Sequence, residues 1–300
     1  MPSSDLLGGA AVLASGHSMP LIGLGTSGIK DADQMDVAVA AALRAGYRLF
    51  DTAHGYGNEK ALGDALRKHL AALSIKREEI FVCTKVPIKN DDTDTVTRAM
   101  VDQSIRDLDV GYLDLVLVHY PRHLIGGGAD LDSINKQKRR AVYGILEEYV
   151  EKGAIRSIGV SNYEIFHLLE LADYAKVRCS VNQCEYHPHH TQNQLRAYCK
   201  ATGVFFQAFA SLCSGDGAIL QEATVVELAK KKGVTAQSIL LAFALSTGVG
   251  VLPKSTNPER IEKNLRDTVA VNLTAEETDE LLKLDIRKNY VGRCTPWRTI

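Results

Sequence analysis

Three hundred residues, 45% of them apolar, suffice for one large α/β barrel or two modest domains with a sizeable core. A formal net charge of -1 provides no basic field to hold nucleic acid or an anionic membrane, which excludes both as main partners. No apolar run approaches the roughly 20 residues that span a bilayer. Residues 6–15 are apolar but follow Asp5 without a basic lead-in, so they read as structure rather than as a signal segment.

Strand-like runs fall at residues 21–25, 47–51, 80–85, 113–119, 155–160, 179–183, 204–209 and 249–252. Helical patterns separate them. Residues 36–45 are Ala-rich, and Leu62, Ala65, Leu66 and Leu70 repeat at i, i+3, i+4 and i+8. Val101, Ile105 and Leu108 mark a third helical face, and Val142, Ile145, Leu146, Tyr149 and Val150 a fourth. Strands alternating with helices imply a parallel sheet, and eight repeats imply its closure into a (β/α)8 (TIM) barrel. No composition shift divides the chain, so 1–300 reads as a single barrel domain. Three irregular stretches follow strands, where loops build active sites. They are residues 120–135 with Gly126-Gly127-Gly128, residues 211–221 ahead of a helical segment at 222–232, and the tail after Asp285, which carries Trp297. The six cysteines lack CxxC spacing and read as buried reduced thiols, from which a cytoplasmic address is expected.

The most informative stretch is Phe50-Asp51-Thr52-Ala53-His54-Gly55-Tyr56-Gly57-Asn58-Glu59. The second strand delivers Asp51 at its carboxyl end, and Tyr56 follows just before a helix. The third strand runs into Lys85 and the fourth into His119. Singly, each has a plain explanation: a turn aspartate, a packing tyrosine, an exposed lysine, a core histidine. Together, at the carboxyl ends of separate strands, they make a proton-transfer site. Carbonyl reduction needs a hydride on carbon and a proton on oxygen. A tyrosine suits the proton donor if its pKa, ordinarily about 10, is brought toward neutrality. A neighbouring lysine does so by favouring phenolate, and a buried aspartate keeps that lysine charged and oriented. A histidine at the same point donates a hydrogen bond to the carbonyl oxygen. Tyr56 is therefore the expected general acid, Lys85 its modulator, Asp51 the anchor of Lys85, and His119 the carbonyl-orienting group.

Lys254-Ser255-Thr256-Asn257-Pro258-Glu259-Arg260 follows the last strand. Asn257 suits a helix cap and Pro258 the first helical position. Helix N-terminal amides attract phosphate, and Lys254 and Arg260 add charge suited to a 2′-phosphate.

Six blocks in order carry a wider likeness: Ile22-Gly23-Leu24-Gly25-Thr26, the Asp51 to Glu59 stretch, Thr84-Lys85 with Val118-His119, Ile158-Gly159-Val160-Ser161-Asn162, Val181-Asn182-Gln183, and Leu252-Pro253-Lys254-Ser255-Thr256. From about Leu13 to about Trp297 the chain resembles the aldo-keto reductases. The resemblance implies an NADPH-dependent reductase of a small-molecule carbonyl, monomeric, with no metal. It implies an N-terminal hairpin closing the barrel floor, with Ser15-Gly16-His17-Ser18 as its turn, and substrate loops on the carboxyl face. Ser161, Asn162 and Gln183 match positions that bind the nicotinamide carboxamide, and Phe209 stands where a stacking Tyr is usual. Gly25, Thr26, Asp51, Ala210 and Leu212 join them as cofactor positions. Lys254, Ser255, Thr256, Arg260 and Asn264 fall to the adenosine end of NADPH. The substrate positions are Ser27, Tyr56, Pro87, His119, Tyr120, Arg122 and Trp297. Several depart from the family pattern: Ser27 for an aromatic residue, Pro87 and Tyr120 for Trp, Ala210-Ser211-Leu212 for Ser-Pro-Leu, and Lys263 for Glu. These changes imply a less aromatic pocket, with Arg122 as an anchor for polar or acidic substrates.

Two motifs point elsewhere. Gly23-Leu24-Gly25-Thr26-Ser27-Gly28 has the outline of a Rossmann fingerprint with Asp51 as its acidic residue, but Pro20 interrupts the strand before it and Tyr56, Lys85 and His119 are left without joint roles. His187-Pro188-His189-His190 invites a metal, yet adjacent histidines broken by a proline suit a surface turn better. Gly126 to Gly128 reads as a loop, since no P-loop Lys-Ser/Thr follows. A fold does not fix function, and some aldo-keto reductase relatives serve as channel-associated subunits or lens proteins. Such roles need no intact proton-transfer set, whereas all four residues are present here.

Overall fold

A computed structural model describes residues 6–89, 92–123, 129–215 and 217–292. Two short strands, β1 (Ala10–Val12) and β2 (Ser18–Pro20), form an antiparallel hairpin. Eight parallel strands follow: β3 (Gly23–Gly25), β4 (Leu49–Asp51), β5 (Phe81–Val86), β6 (Leu113–Val118), β7 (Ile155–Ser161), β8 (Val181–Glu185), β9 (Phe205–Phe209) and β10 (Gly250–Val251). They pair in chain order, and the two edges meet: Val251 donates its N–H to the Leu21 carbonyl at 2.7 Å, and Gly25 donates to the Pro253 carbonyl at 3.0 Å. The eight parallel strands thus form a nearly closed barrel ringed by helices, as the alternation of elements implies.

The helices are α1 (Ala32–Ala45), α2 (Glu59–Leu73), α3 (Thr93–Leu108), α4 (Ala129–Glu151), α5 (Ile165–Tyr174), α6 (Asn193–Thr202), α7 (Gly217–Leu220), α8 (Ala223–Lys232), α9 (Ala236–Ser246), α10 (Pro258–Ala270) and α11 (Ala275–Leu282). Two stretches correct expectation: residues 211–221, expected as irregular, hold α7. The stretch at 120–135 is not irregular throughout, because α4 already begins at Ala129; Gly126 to Gly128 lie outside the described residues. The segment expected as a helix at 222–232 is α8.

Period-two alternation divides each strand between two cores. Along β5, Phe81 and Cys83 face the barrel axis, whereas Val82 and Val86 join the layer beneath the helices. The inner layer holds Leu49, Phe81, Leu115, Leu117, Val181 and Leu252, closed from below by Leu13 and Met19 of the hairpin. Ser15 in the hairpin turn also hydrogen-bonds Ser157 of β7 at 2.7 Å. The hairpin is therefore a plug for the floor. The glycines of the G-x-G-x-x-G match serve closure as well. A Cβ on Gly23 would strike the Leu49 side chain, and one on Gly25 would lie 2.9 Å from the Leu252 carbonyl oxygen. A barrel, not an open dinucleotide-binding sheet, accounts for them.

Candidate active site

The same alternation aims chemistry at the mouth. Leu49 and Asp51, Cys83 and Lys85, Leu117 and His119 follow each other inward at intervals of two, so each polar residue stands one step above an apolar inner-layer residue. Lys85 (1% exposed) and Asp51 (4%) form an ion pair at 2.6 Å, and Lys85 Nζ also donates to the Thr52 carbonyl at 2.7 Å. Burial pulls the Lys85 pKa down, but the Asp51 charge leads a set of anionic partners that overcome it and leave it above the ordinary lysine value. The ammonium is thus held charged. Below the pair, the Cys83 thiol is pushed up, first by burial and then by Asp51, and stays protonated.

Tyr56 ends a single 3₁₀ turn, His54–Tyr56, between β4 and α2. Lys85 Nζ lies 5.2 Å from its ring centroid, and the His119 ring packs edge-on against it with centroids 5.8 Å apart. Tyr120 stacks on His119 with ring centroids 4.6 Å apart. The turn is anchored from both flanks. Asn58 donates to the Thr26 and Ile29 carbonyls, both at 2.9 Å, and accepts from Thr52 Oγ1 at 2.7 Å. The buried Glu59 carboxylate accepts from Thr84 at 2.6 Å and Ser104 at 2.9 Å. Sequence reasoning quoted Asn58 and Glu59 within their block without giving them work. Most of their partners come from other loops, from β5 and from α3, and no local pattern announces them.

Three of the expected cofactor positions, Thr26, Asn162 and Gln183, are hydrogen-bonded to this cluster. Thr26 is buried, with its hydroxyl bonded to the Asp51 carbonyl at 2.9 Å. Ser161 Oγ donates to the Gln183 carbonyl at 2.7 Å. Asn162 adopts a left-handed backbone (φ 63) and spends its side-chain hydrogens on the His119 carbonyl at 2.9 Å and Ser161 Oγ at 3.0 Å. Gln183 Nε2 donates to Asp51 Oδ2 at 2.9 Å and Gln207 Oε1 at 2.8 Å. In both amides the side-chain oxygen is what remains to meet a ligand. Phe209 and Leu212 are half-buried at the end of β9, and Ala210 between them holds a left-handed φ of 52. The neighbouring Ser211 hydroxyl is buried and meets no protein partner.

At the far edge, Asn257 caps α10 by accepting from the Arg260 N–H at 3.0 Å, with Pro258 at the first position. Ser255 Oγ accepts from the Asn257 N–H at 3.1 Å. Lys254 and Arg260 are exposed, Thr256 and Asn264 half-exposed. Among the described residues, neither Lys254 nor Arg260 forms an ion pair.

Of the substrate positions, Ser27 is exposed and Pro87 half-buried, while Trp297 lies outside the described residues. Arg122 lies deeper than Ser27 and Pro87. It is only 5% exposed, and its charge acts on His167 of α5.

The histidine run also corrects expectation. His187, His189 and His190 are buried rather than set in a surface turn. His187 bonds the Glu185 carboxylate at 3.0 Å, and His189 bridges Tyr290 at 2.8 Å and Glu222 at 2.9 Å. Glu185 also accepts from Asn289 at 3.0 Å and from the N–H groups of Tyr290 and Val291. The run fastens the C-terminal segment to β8. Among the described residues no group of three potential ligands could hold a metal ion.

Comparison with known proteins fits this architecture. The model of the aldo/keto reductase family matches residues 21–286. The chain belongs to that family. This aldo/keto reductase is 33% identical to the glyoxal reductase of Bacillus subtilis (strain 168) over 281 residues, covering 94% of each chain. It is 31% identical to the NAD(P)H-dependent D-xylose reductase I,II of Candida tropicalis, covering 95% of this chain and 94% of that one. Among solved structures, the aldose reductase of Schistosoma japonicum superposes with a TM-score of 0.84 at 30% identity, over 96% and 97% of the two chains. The protein is accordingly an oxidoreductase acting on carbonyl or CH–OH groups. No described helix is long and apolar enough to cross a membrane.

Proposed function

We propose that this aldo/keto reductase reduces small aldehydes and ketones to alcohols at the expense of NADPH, with Tyr56 as the general acid. The observation that carries this is the buried, charged Lys85, ion-paired with Asp51 and 5.2 Å from the Tyr56 ring, with His119 against the same ring. Lys85 favours a tyrosine on its way to phenolate. Asp51 fixes the lysine, and His119 presents an N–H to the carbonyl oxygen as charge grows on it. Tyr56 hands its hydroxyl proton to that oxygen as the carbon is reduced. The nicotinamide cofactor, when bound, supplies the hydride.

The residues present fit such a cofactor. Asn162 and Gln183 commit their side-chain nitrogens within the protein, which suits their oxygens to accept from a carboxamide NH2. Phe209 offers a ring face for stacking. The unpartnered Ser211 hydroxyl lies beside Ala210 and Leu212, where a phosphate oxygen would satisfy it. Ser255, Thr256 and Asn264, with the exposed charges of Lys254 and Arg260 at the capped start of α10, suit an adenosine 2′-phosphate. The xylose reductase named above is described as NAD(P)H-dependent, in keeping with this choice. The whole chain would act as one monomeric barrel.

The test is steady-state oxidation of NADPH and NADH with aliphatic, aromatic, keto-acid and sugar-derived carbonyls. Tyr56→Phe should lower kcat by about 10²–10⁴-fold while NADPH still binds. Undiminished turnover in that variant would remove Tyr56 from the role, and equal efficiency with NADH would remove the 2′-phosphate assignment.

A further inference from the structure

The lower layer of the barrel interior is mainly apolar. Within that layer Gln207, at the centre of β9, is fully buried. Burying a carboxamide costs free energy unless its polar atoms find partners, and an aliphatic side chain would simply continue the layer. Gln207 lies in register with Gln183 on the adjacent strand, on the same face.

The hydrogen bonds around it run in one direction. Asp51, paired with Lys85, can only accept from an amide, so Gln183 presents Nε2 to Asp51 Oδ2 at 2.9 Å. The second hydrogen of that nitrogen goes to Gln207 Oε1 at 2.8 Å. Gln207 Nε2 is then left facing the sulfur of Met19 on the floor hairpin, at 3.8 Å. The sequence runs from the ammonium at the mouth to the plug, and each amide's orientation dictates the next.

We propose that Gln207 is a positioning residue, which locks Gln183 in the one amide orientation that leaves Oε1 to accept from a nicotinamide carboxamide. It deepens the nicotinamide assignment made above and rests on it. Without Gln207, one Gln183 hydrogen would face apolar side chains unpaired. Held by Asp51 alone, the amide could pivot about that one bond, and Oε1 would no longer stay aimed at the carboxamide.

The experiment compares Kd for NADPH with Kd for its 3-acetylpyridine analogue, in which a methyl ketone replaces the carboxamide and no N–H remains. Gln207→Met keeps the volume and removes the acceptor. Its Kd for NADPH should rise roughly three- to tenfold, the worth of one neutral hydrogen bond, with the analogue's Kd unchanged. In a Gln183→Ala background, Gln207→Met should add nothing, because coupled residues are non-additive. An equal loss for both nucleotides, or a loss persisting without Gln183, would reduce Gln207 to core packing and overturn the proposal. Failure of the wild-type protein to bind NADPH would instead remove the nicotinamide assignment itself. Should Gln207→Met not fold, NMR on the wild-type protein decides: both Gln183 side-chain amide hydrogens should exchange slowly without cofactor, and fast exchange of either overturns the lock.

Discussion

His167, buried in the first turn of α5, accepts from the Glu164 N–H at 3.2 Å in a capping box. Burial, and then the charges of Arg139 and Arg122, push its pKa down from 6.5 to about 3. The unfolded chain therefore binds a proton between pH 6.5 and 3 that the folded chain refuses, so this residue's contribution is intact above pH 6.5 and shrinks as pH falls. Linkage sets the loss at about 2 kcal/mol on going from pH 7 to pH 5. Denaturant unfolding of wild type and His167→Gln at the two pH values checks it. Gln can still cap, and the variant should lose about that much less than wild type on acidification. At this scale the sequence announced residues whose role is local: Asp51, Tyr56, Lys85 and His119 sit at strand ends in a recognisable block, and structure brings them together. It was silent on Asn58, Glu59 and Gln207, whose partners stand up to 188 positions away, as for Gln207 and Met19. The depth of Arg122 was equally invisible, because charge reads as exposure until its burial near His167 is seen.

The eight strands and most helices were legible because period two and period 3.6 survive in any window of ten residues. The start of α10 is the clearest case, with cap, Pro and basic residues placed as the sequence has them. It separates stability from ligand affinity. Asn257→Ala should cost about 1 kcal/mol in unfolding free energy through the lost cap. Arg260→Leu should leave stability within about 0.5 kcal/mol, yet raise KM for NADPH roughly tenfold or more with little change for NADH, as expected for a charge-assisted phosphate contact. Denaturation curves and paired kinetics measure the two. The histidine run was illegible at this scale. Adjacent histidines around a proline look like a solvated turn, and only the docking of residues 285–291 buries them.

Across the whole molecule, closure depends on the hairpin that the sequence led one to expect at the floor, and on glycines that a linear reading treats as a decoy, which let β3 approach Leu49 and the Leu252 carbonyl. With the floor sealed, ligands enter by the mouth, whose rim is tied by the fastening around Glu185. That fastening gathers three remote pieces of chain: residues 185–191, Glu222 ahead of α8, and residues 285–291. Their backbone protons are interlocked too, since Lys288 donates to the His189 carbonyl at 3.0 Å and Thr191 to Asp285 at 3.3 Å. Hydrogen–deuterium exchange should find the amides of Thr191, Lys288, Tyr290 and Val291 opening at one common free energy, and Glu185→Gln should loosen all four together. Independent rates would break the claim. The rim would then behave like a drawstring: slackening a single carboxylate deep in β8 frees two flaps that never touch each other in sequence.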